Sequence, residues 1–229
     1  MIELRKIKKT YGSKCIVNNW NYTFENGKIY GLIGRNGIGK TTVMKCISGL
    51  CEPDELEIHT DMGNVSTLDY LSRNIYYISD EPVYYNDLTL YEHLWIVCKA
   101  ERYKKQDAVE KIKDLVEKYK MGEYLNFYPS AMSKGTLQRM MLMIGFLRKT
   151  RNLLLDEPFN GLDPIQLKQS LDYCKANKAD KCIIISSHDI ESLEEVCDCY
   201  LIFTKNGIVA LDEKIDRERV NELIGDSYD

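Results

Sequence analysis

The chain has 229 residues, 44% of them hydrophobic and 29% charged, which is enough apolar side chain for one large core and gives no compositional break between domains. A formal net charge of −4 and a pI of about 5.6 argue against a generally basic, nucleic-acid-coating surface, so no nucleic-acid partner is expected. No run approaches the roughly 18 apolar residues of a membrane span, and Met1–Lys6 lacks the apolar core of a signal peptide. The protein is therefore expected in the cytosol, or at a membrane only through a partner.

In chain order, strands are expected near Ile2–Ile7 and Cys15–Phe24, and Lys28–Ile33 reads as a short buried strand. Directly after it stands Gly34-Arg35-Asn36-Gly37-Ile38-Gly39-Lys40-Thr41, a full G-x-x-x-x-G-K-[ST] phosphate-binding loop. A helix is expected from Thr41 to Leu50, with Val43, Met44 and Ile47 on one face. The glycines let consecutive N–H groups point at phosphate oxygens, and the helix adds the positive end of its dipole. Lys40 would reach the β- and γ-phosphates, Thr41 would offer its hydroxyl to a Mg²⁺ bridging them, and Thr42 would continue the helix towards the α-phosphate. These residues make the chain a nucleotide binder.

A polar, poorly periodic stretch runs from Cys51 to Arg73, and a helical block follows from about Leu88 to Leu147. Within it lie Leu90–Ala100 and Gln106–Lys120, the second carrying Val109, Ile112, Leu115, Val116 and Tyr119 at helical spacing. Asn152–Asp156 and Cys182–Ser186 are continuous apolar runs, as in parallel strands buried on both faces. The fold class is α/β, with a helical insertion. Eight cysteines, from Cys15 to Cys199, show no paired C-x-x-C spacing, so reduced, packed thiols are expected.

The strand Leu153-Leu154-Leu155 ends in Asp156-Glu157-Pro158. Asp156 would hold Mg²⁺ directly or through water, and Glu157, one residue nearer the γ-phosphate, could orient or deprotonate an attacking water.

Between the two motifs lies Met132-Ser133-Lys134-Gly135-Thr136-Leu137-Gln138-Arg139. This segment resembles the L-S-G-G-Q-x-Q-R signature of ABC ATPases. Gly161-Leu162-Asp163 is similar to their D-loop, His188 in Ser186-Ser187-His188-Asp189 to their switch histidine, and Tyr11 to their adenine-stacking aromatic. The motifs run in family order from Tyr11 to His188.

The resemblance implies a P-loop NTPase core with a small N-terminal antiparallel β subdomain and a helical subdomain, forming one domain over residues 1–229. Its core would take residues 1–78 and 151–210, its helical subdomain 83–148, and 211–229 would be a short polar tail without a regulatory domain, partly without fixed structure. Two chains would pair around two ATP, each ATP lying between one chain's phosphate loop and the Ser133 and Gly135 of the other, as a homodimer or pseudo-dimer. Asp163 would couple the two sites, and His188 would sense the γ-phosphate and hold water with Glu157. Tyr11 would stack on adenine for about 1 kcal/mol.

Three positions depart from the family pattern. Lys134 replaces the first signature glycine, Thr136 replaces its glutamine, and Asp80 in Tyr77-Ile78-Ser79-Asp80-Glu81-Pro82 stands where the Q-loop glutamine lies. Asp80 can still take a metal-bound water, and it resembles the acidic Q-loops of simple exporter ATPases. The aromatic-rich run from Asp80 to Tyr91 falls where such ATPases receive a helix of a separate transmembrane subunit. The expected function is therefore the ATP-hydrolysing subunit of an ABC transporter, an exporter, held at the cytoplasmic face of the membrane by its permease. The alternative is a non-transport or regulatory ABC ATPase.

Overall fold

The computed structural model describes residues 1–60, 63–64, 74–212 and 217–225. Two sheets organise it. The smaller is antiparallel, in the order β2-β1-β4-β5, from β1 (Ile2–Tyr11), β2 (Lys14–Phe24), β4 (Glu55–Thr60) and β5 (Gly63–Asn64). The larger runs β10-β9-β3-β8-β7-β6, from β3 (Ile29–Ile33), β6 (Ile75–Ile78), β7 (Asn152–Asp156), β8 (Cys182–Ser187), β9 (Cys199–Thr204) and β10 (Gly207–Leu211). Its neighbours are parallel except for the β9–β10 hairpin at one edge.

The apolar runs are continuous because the large sheet is covered on both faces. Ile183, Ile185, Leu153 and Leu155 point into a core shared with the helices, while Ile184 and Leu154 point into a second core shared with the antiparallel sheet and helix α1 (Lys40–Ile47). The strands expected from the N-terminal sequence, from Lys28–Ile33 and from the two later apolar runs all form.

The helical block divides into α2 (Leu90–Ala100), α3 (Lys105–Lys118) and α4 (Lys134–Leu147). Helix α2 opens with a full capping box, Thr89 accepting from the Glu92 N–H and Glu92 accepting from the Thr89 N–H. On α3 the buried stripe is Ala108, Ile112 and Leu115, continued by Tyr119, whereas Val109 is 47% exposed. Val109 was expected on that stripe; it stands one residue, about 100°, round the helix from Ala108.

Later come α5 (Pro164–Ala176), α6 (Ile190–Glu194) and α7 (Arg217–Gly225). Strand β4 falls inside the stretch that reads as aperiodic from Cys51 to Arg73, and residues 65–73 of that stretch lie outside the described residues. In the expected polar tail, α7 forms and places Val220 in the main core with no exposed surface. The eight cysteines are free thiols, five of them buried in the core.

Candidate functional site

Register brings three strand ends together. Ile33 pairs with Ser187 and Asp156 with Ser186, so β3, β8 and β7 finish side by side and deliver Gly34, His188 and Glu157 to one edge of the sheet. Ligands of open parallel sheets bind at this carboxyl edge.

After β3 the chain wraps into α1. Gly39 takes the cap position at φ 124° without a side-chain cap, and the first turn of α1 holds no acidic residue, so its N–H groups face outward unpaired by carboxylates. A Cβ at Gly39 would overlap the Ile16 side chain, which is why this turn takes glycine. Lys40 is 6% exposed. Its ammonium donates to the Gly34 carbonyl at 2.7 Å and the Arg35 carbonyl at 3.4 Å and lies 4.0 Å from Glu157 Oε1. Burial pushes its pKa below the usual lysine value, against the pull of Glu157 and Asp156.

Asp156 is 1% exposed and accepts from the Ser186 and Tyr77 hydroxyls, the latter at 2.7 Å. The half-buried Tyr77 phenol, desolvated and facing that carboxylate, is held far above its ordinary pKa and stays a donor. Glu157 turns the chain in the left-handed region at φ 46°, its N–H bonded to the Ser186 hydroxyl at 3.0 Å. Such a conformation costs a non-glycine residue on the order of 1 kcal/mol and is held here by the turn. It aims Oε2 at His188 Nδ1, 2.9 Å away. The imidazole is 58% exposed and stands over the cleft.

That cleft, of about 500 Å³, brings together Tyr11, Arg35, Asn36, Gly37, Gly39, Lys40, Thr41, Thr42, Asp80, Glu157 and His188. Gly34 and Ile38 belong to the loop behind its wall, and buried Asp156 lies beneath it. Lys14, Ile16 and Asn160 also line it and were not foreseen. Lys14 donates to the Gly37 carbonyl at 3.2 Å from the neighbouring sheet, a contact no local pattern announces. Tyr11 is 52% exposed, with the Lys9 ammonium 5.0 Å from its ring centroid and its hydroxyl 3.2 Å from Cys51 Sγ.

Ser133, Gly135 and Asp163 do not line this cleft. Ser133 caps α4, accepting from the Thr136 N–H at 3.2 Å, and is exposed. Gly135 lies against the Gly161 carbonyl, where a Cβ would approach to 2.5 Å, so the start of α4 packs on the chain's own 161–163 loop. Asp163 caps α5 through the Ile165 and Gln166 N–H groups at 3.0 and 2.8 Å. The sequence profile of the ABC transporter family matches residues 17–160, more than half of the chain. The chain belongs to the ABC transporter family.

It is an ATPase of that family. It is 32% identical over 206 residues to the ABC-type transporter ATP-binding protein EcsA of Bacillus subtilis (strain 168), covering 88% of this chain and 83% of that one. It is 31% identical over 225 residues to the lantibiotic transport ATP-binding protein SrtF of Streptococcus pyogenes, covering 97% and 95%. A solved ATP-binding subunit of an ABC transporter superposes with a TM-score of 0.85 at 26% identity, over 100% of this chain and 95% of that one.

Of the departures in this ABC ATPase, Thr136 is the one turned inward. It is 3% exposed, and its hydroxyl meets Ser133 Oγ at 2.9 Å and accepts from Arg139 at 3.3 Å, bracing the capping turn rather than reaching outward. Lys134 is exposed, with its aliphatic stem beside Gly161. Asp80 is exposed on the cleft wall.

The oxygen donors suit a magnesium ion held mostly by phosphate. Among the described residues no three His, Cys, Asp or Glu side chains form a metal-holding group, while Thr41 and Asp80 face the cleft and both Asp156 oxygens already accept hydrogen bonds. Mg²⁺ characteristically keeps waters and takes one or two protein oxygens beside nucleotide phosphates, and this donor set fits that habit.

A second groove, of about 540 Å³, is walled by Val83, Tyr84, Tyr85, Ile96, Leu50 and Met141 among others. Val83 is 76% and Tyr85 67% exposed. His93 fixes this wall: its Nε2 accepts from the Tyr85 N–H at 3.0 Å, so Nδ1 carries the proton donated to the Thr89 carbonyl at 2.8 Å. Tyr91 stacks on Trp95 instead and lies outside the groove.

Proposed function

We propose that the chain is the ATP-hydrolysing subunit of an ABC exporter, that two copies or a pseudo-dimer close around two ATP, and that closure moves separate transmembrane subunits docked in the Val83–Tyr85 groove. The observation that carries the reading is that the cleft assembles Lys40, Glu157 and His188 but none of the chain's own Ser133, Gly135 or Asp163. A phosphate bound there would be open on one side, and the capped start of α4 is an exposed anion-favouring end of the kind that would close it from a second chain.

In this account Gly34, Arg35, Asn36, Gly37, Ile38 and Gly39 surround the phosphates, Lys40 transfers its hydrogen bonds from loop carbonyls to the β- and γ-phosphates, and Thr42 meets the α-phosphate. Thr41, Asp80 and Asp156 would hold the magnesium ion, which supplies charge neutralisation between the phosphates. Glu157 accepts the proton of the water whose oxygen attacks the γ-phosphorus, ADP departs, and His188 holds the γ-phosphate and orients Glu157. Tyr11 offers adenine the ring face opposite Lys9. Asp163 and exposed Ile165 meet the partner chain.

Transport is supported by the relative named for lantibiotic transport, and the export direction by Asp80 in place of the Q-loop glutamine. No helix among the described residues is long and apolar enough to cross a membrane. The exposed aromatic groove suits an amphipathic helix at the cytoplasmic face.

The test is a tagged pull-down from detergent-solubilised membranes of the native cells, with the wild-type chain and with Val83→Glu/Tyr85→Glu. A multi-spanning protein lost on mutation is the expected result. Recovery of soluble partners alone, or of the chain alone, favours the non-transport or regulatory ATPase reading, for which the inward-turned Thr136 is the structural argument.

A further inference from the structure

The Arg35 guanidinium, in the phosphate loop, donates to the Ile224 carbonyl in the last turn of α7 at 3.1 Å, across 189 positions of sequence. We propose that this contact is a latch, through which the docking of α7 and the binding of nucleotide stabilise each other. It rests on the reading of Gly34–Thr41 as the ATP loop.

Both ends of the latch are anchored. Carbonyls in the last turn of a helix have no partner within it, and the negative end of the dipole favours a cation there. Helix α7 has no basic residue in its own last turn, so Arg35 brings one from the other end of the chain. Upstream, Val220 is fully buried in the main core and Leu223 and Ile224 pack against it, which holds the receiving carbonyl in place. On the loop side, the Arg35 carbonyl accepts from the Ile38 N–H at 3.2 Å and from Lys40 at 3.4 Å. Its neighbour Gly34 lies so close to β9 that a Cβ would meet Phe203 at 2.8 Å, and α7 packs on the same strand.

Arg35 is thus tied by its backbone to the turn that must cradle phosphate and by its side chain to α7. A loop held in shape before ligand arrives loses less conformational freedom on binding, so releasing this tie weakens nucleotide binding while the loop keeps every backbone N–H that faces phosphate. Linkage makes the effect reciprocal: nucleotide that orders the loop must equally steady α7. Arg35 acts here as a positioning residue.

The experiment measures ADP binding by titration calorimetry, and hydrogen exchange of residues 217–225 with and without ADP. The variants are Arg35→Ala, Arg35→Lys, deletion of 221–229, which keeps Val220, and the double variant of Arg35→Ala with the deletion. The expected result is a Kd for ADP raised about five-fold by Arg35→Ala and by the deletion, but no further in the double variant, as for two cuts in one tie. Arg35→Lys restores most of the affinity, and ADP slows exchange in α7 of the wild type but not of Arg35→Ala. Unchanged affinity in Arg35→Ala, additive losses in the double variant, or α7 exchange indifferent to ADP overturns the latch. If the deletion fails to fold, the exchange comparison between wild type and Arg35→Ala decides alone. A wild-type chain that binds no ADP sinks the loop assignment itself, a result distinct from a latch that fails while ADP still binds.

Discussion

His188 Nδ1 and Glu157 Oε2 lie 2.9 Å apart, joining the turn after β8 to the turn after β7 directly above the phosphate loop. The pair fixes the orientation of the carboxylate. Glu157 is 14% exposed and the imidazole 58%, so the carboxylate sits at the cleft floor and the imidazole at its mouth.

Glu157→Gln keeps the shape of this floor and removes the proposed base. ATP hydrolysis should fall by about 10²-fold or more while ATP binding persists, as for loss of a positioned general base. His188→Ala should lower hydrolysis at saturating ATP through misorientation of Glu157. Phosphate release and equilibrium ATP binding, measured side by side, check both; normal turnover in Glu157→Gln would contradict the assignment.

In the proposed account nucleotide stabilises Lys40 more than the fold does. Its buried ammonium has a pKa depressed first by desolvation, so the folded state without nucleotide carries a cost that is full below the depressed value and fades as pH rises through it towards 10.5, where the unfolded chain also deprotonates. Lys40→Met should raise the melting temperature of the nucleotide-free protein by roughly 2–4 °C, a gain of about 1 kcal/mol, and abolish the further rise on adding ATP. The gain over wild type should shrink as pH rises. Scanning calorimetry at pH 7 and pH 9, with and without ATP, gives all of these values.

The phosphate loop, the Asp156–Glu157 strand end and the α4 capping turn were legible because each is a contiguous run whose chemistry is local. Contacts made between distant segments were not. Ser186 and Tyr77 hold Asp156 from two other strands, Lys14 reaches Gly37 from the antiparallel sheet, and Asn160 enters the cleft from the turn that follows Glu157. Helix α7 escaped because its sequence is polar, with a mean pattern set by charges. Among its described side chains, buried Val220 and partly buried Leu223 and Ile224 meet the core, and the Ile224 carbonyl meets Arg35, all of them contacts with distant segments. On α3, periodicity alone could not choose between Ala108 and Val109, since a small residue gives a weaker signal than the branched one beside it.

Gly135 is required by the Gly161 carbonyl. Gly135→Ala puts a methyl group 2.5 Å from that oxygen, so the start of α4 and the 161–163 loop must separate. The expected cost is about 1–3 kcal/mol of stability together with a loss of hydrolysis that exceeds the loss of ATP binding. Chemical denaturation and steady-state kinetics on the same preparation test it, and unchanged stability would mean that the contact relaxes freely.

Tyr11→Ala should weaken ATP binding by roughly five-fold, about 1 kcal/mol, and Tyr11→Phe should not, because in the proposed account the ring and not the Cys51-bonded hydroxyl meets the base. Equal losses in the two variants would place the binding energy in the hydroxyl contact instead.

The most direct test of the central claim is sedimentation of the Glu157→Gln chain with and without Mg-ATP, with bound nucleotide counted. The account predicts a monomer that becomes a dimer holding two ATP, and a Ser133→Arg companion that binds ATP and stays monomeric. A chain that binds ATP at its own cleft yet remains monomeric with Ser133 intact, under conditions where hydrolysis of the wild type proceeds, would contradict it.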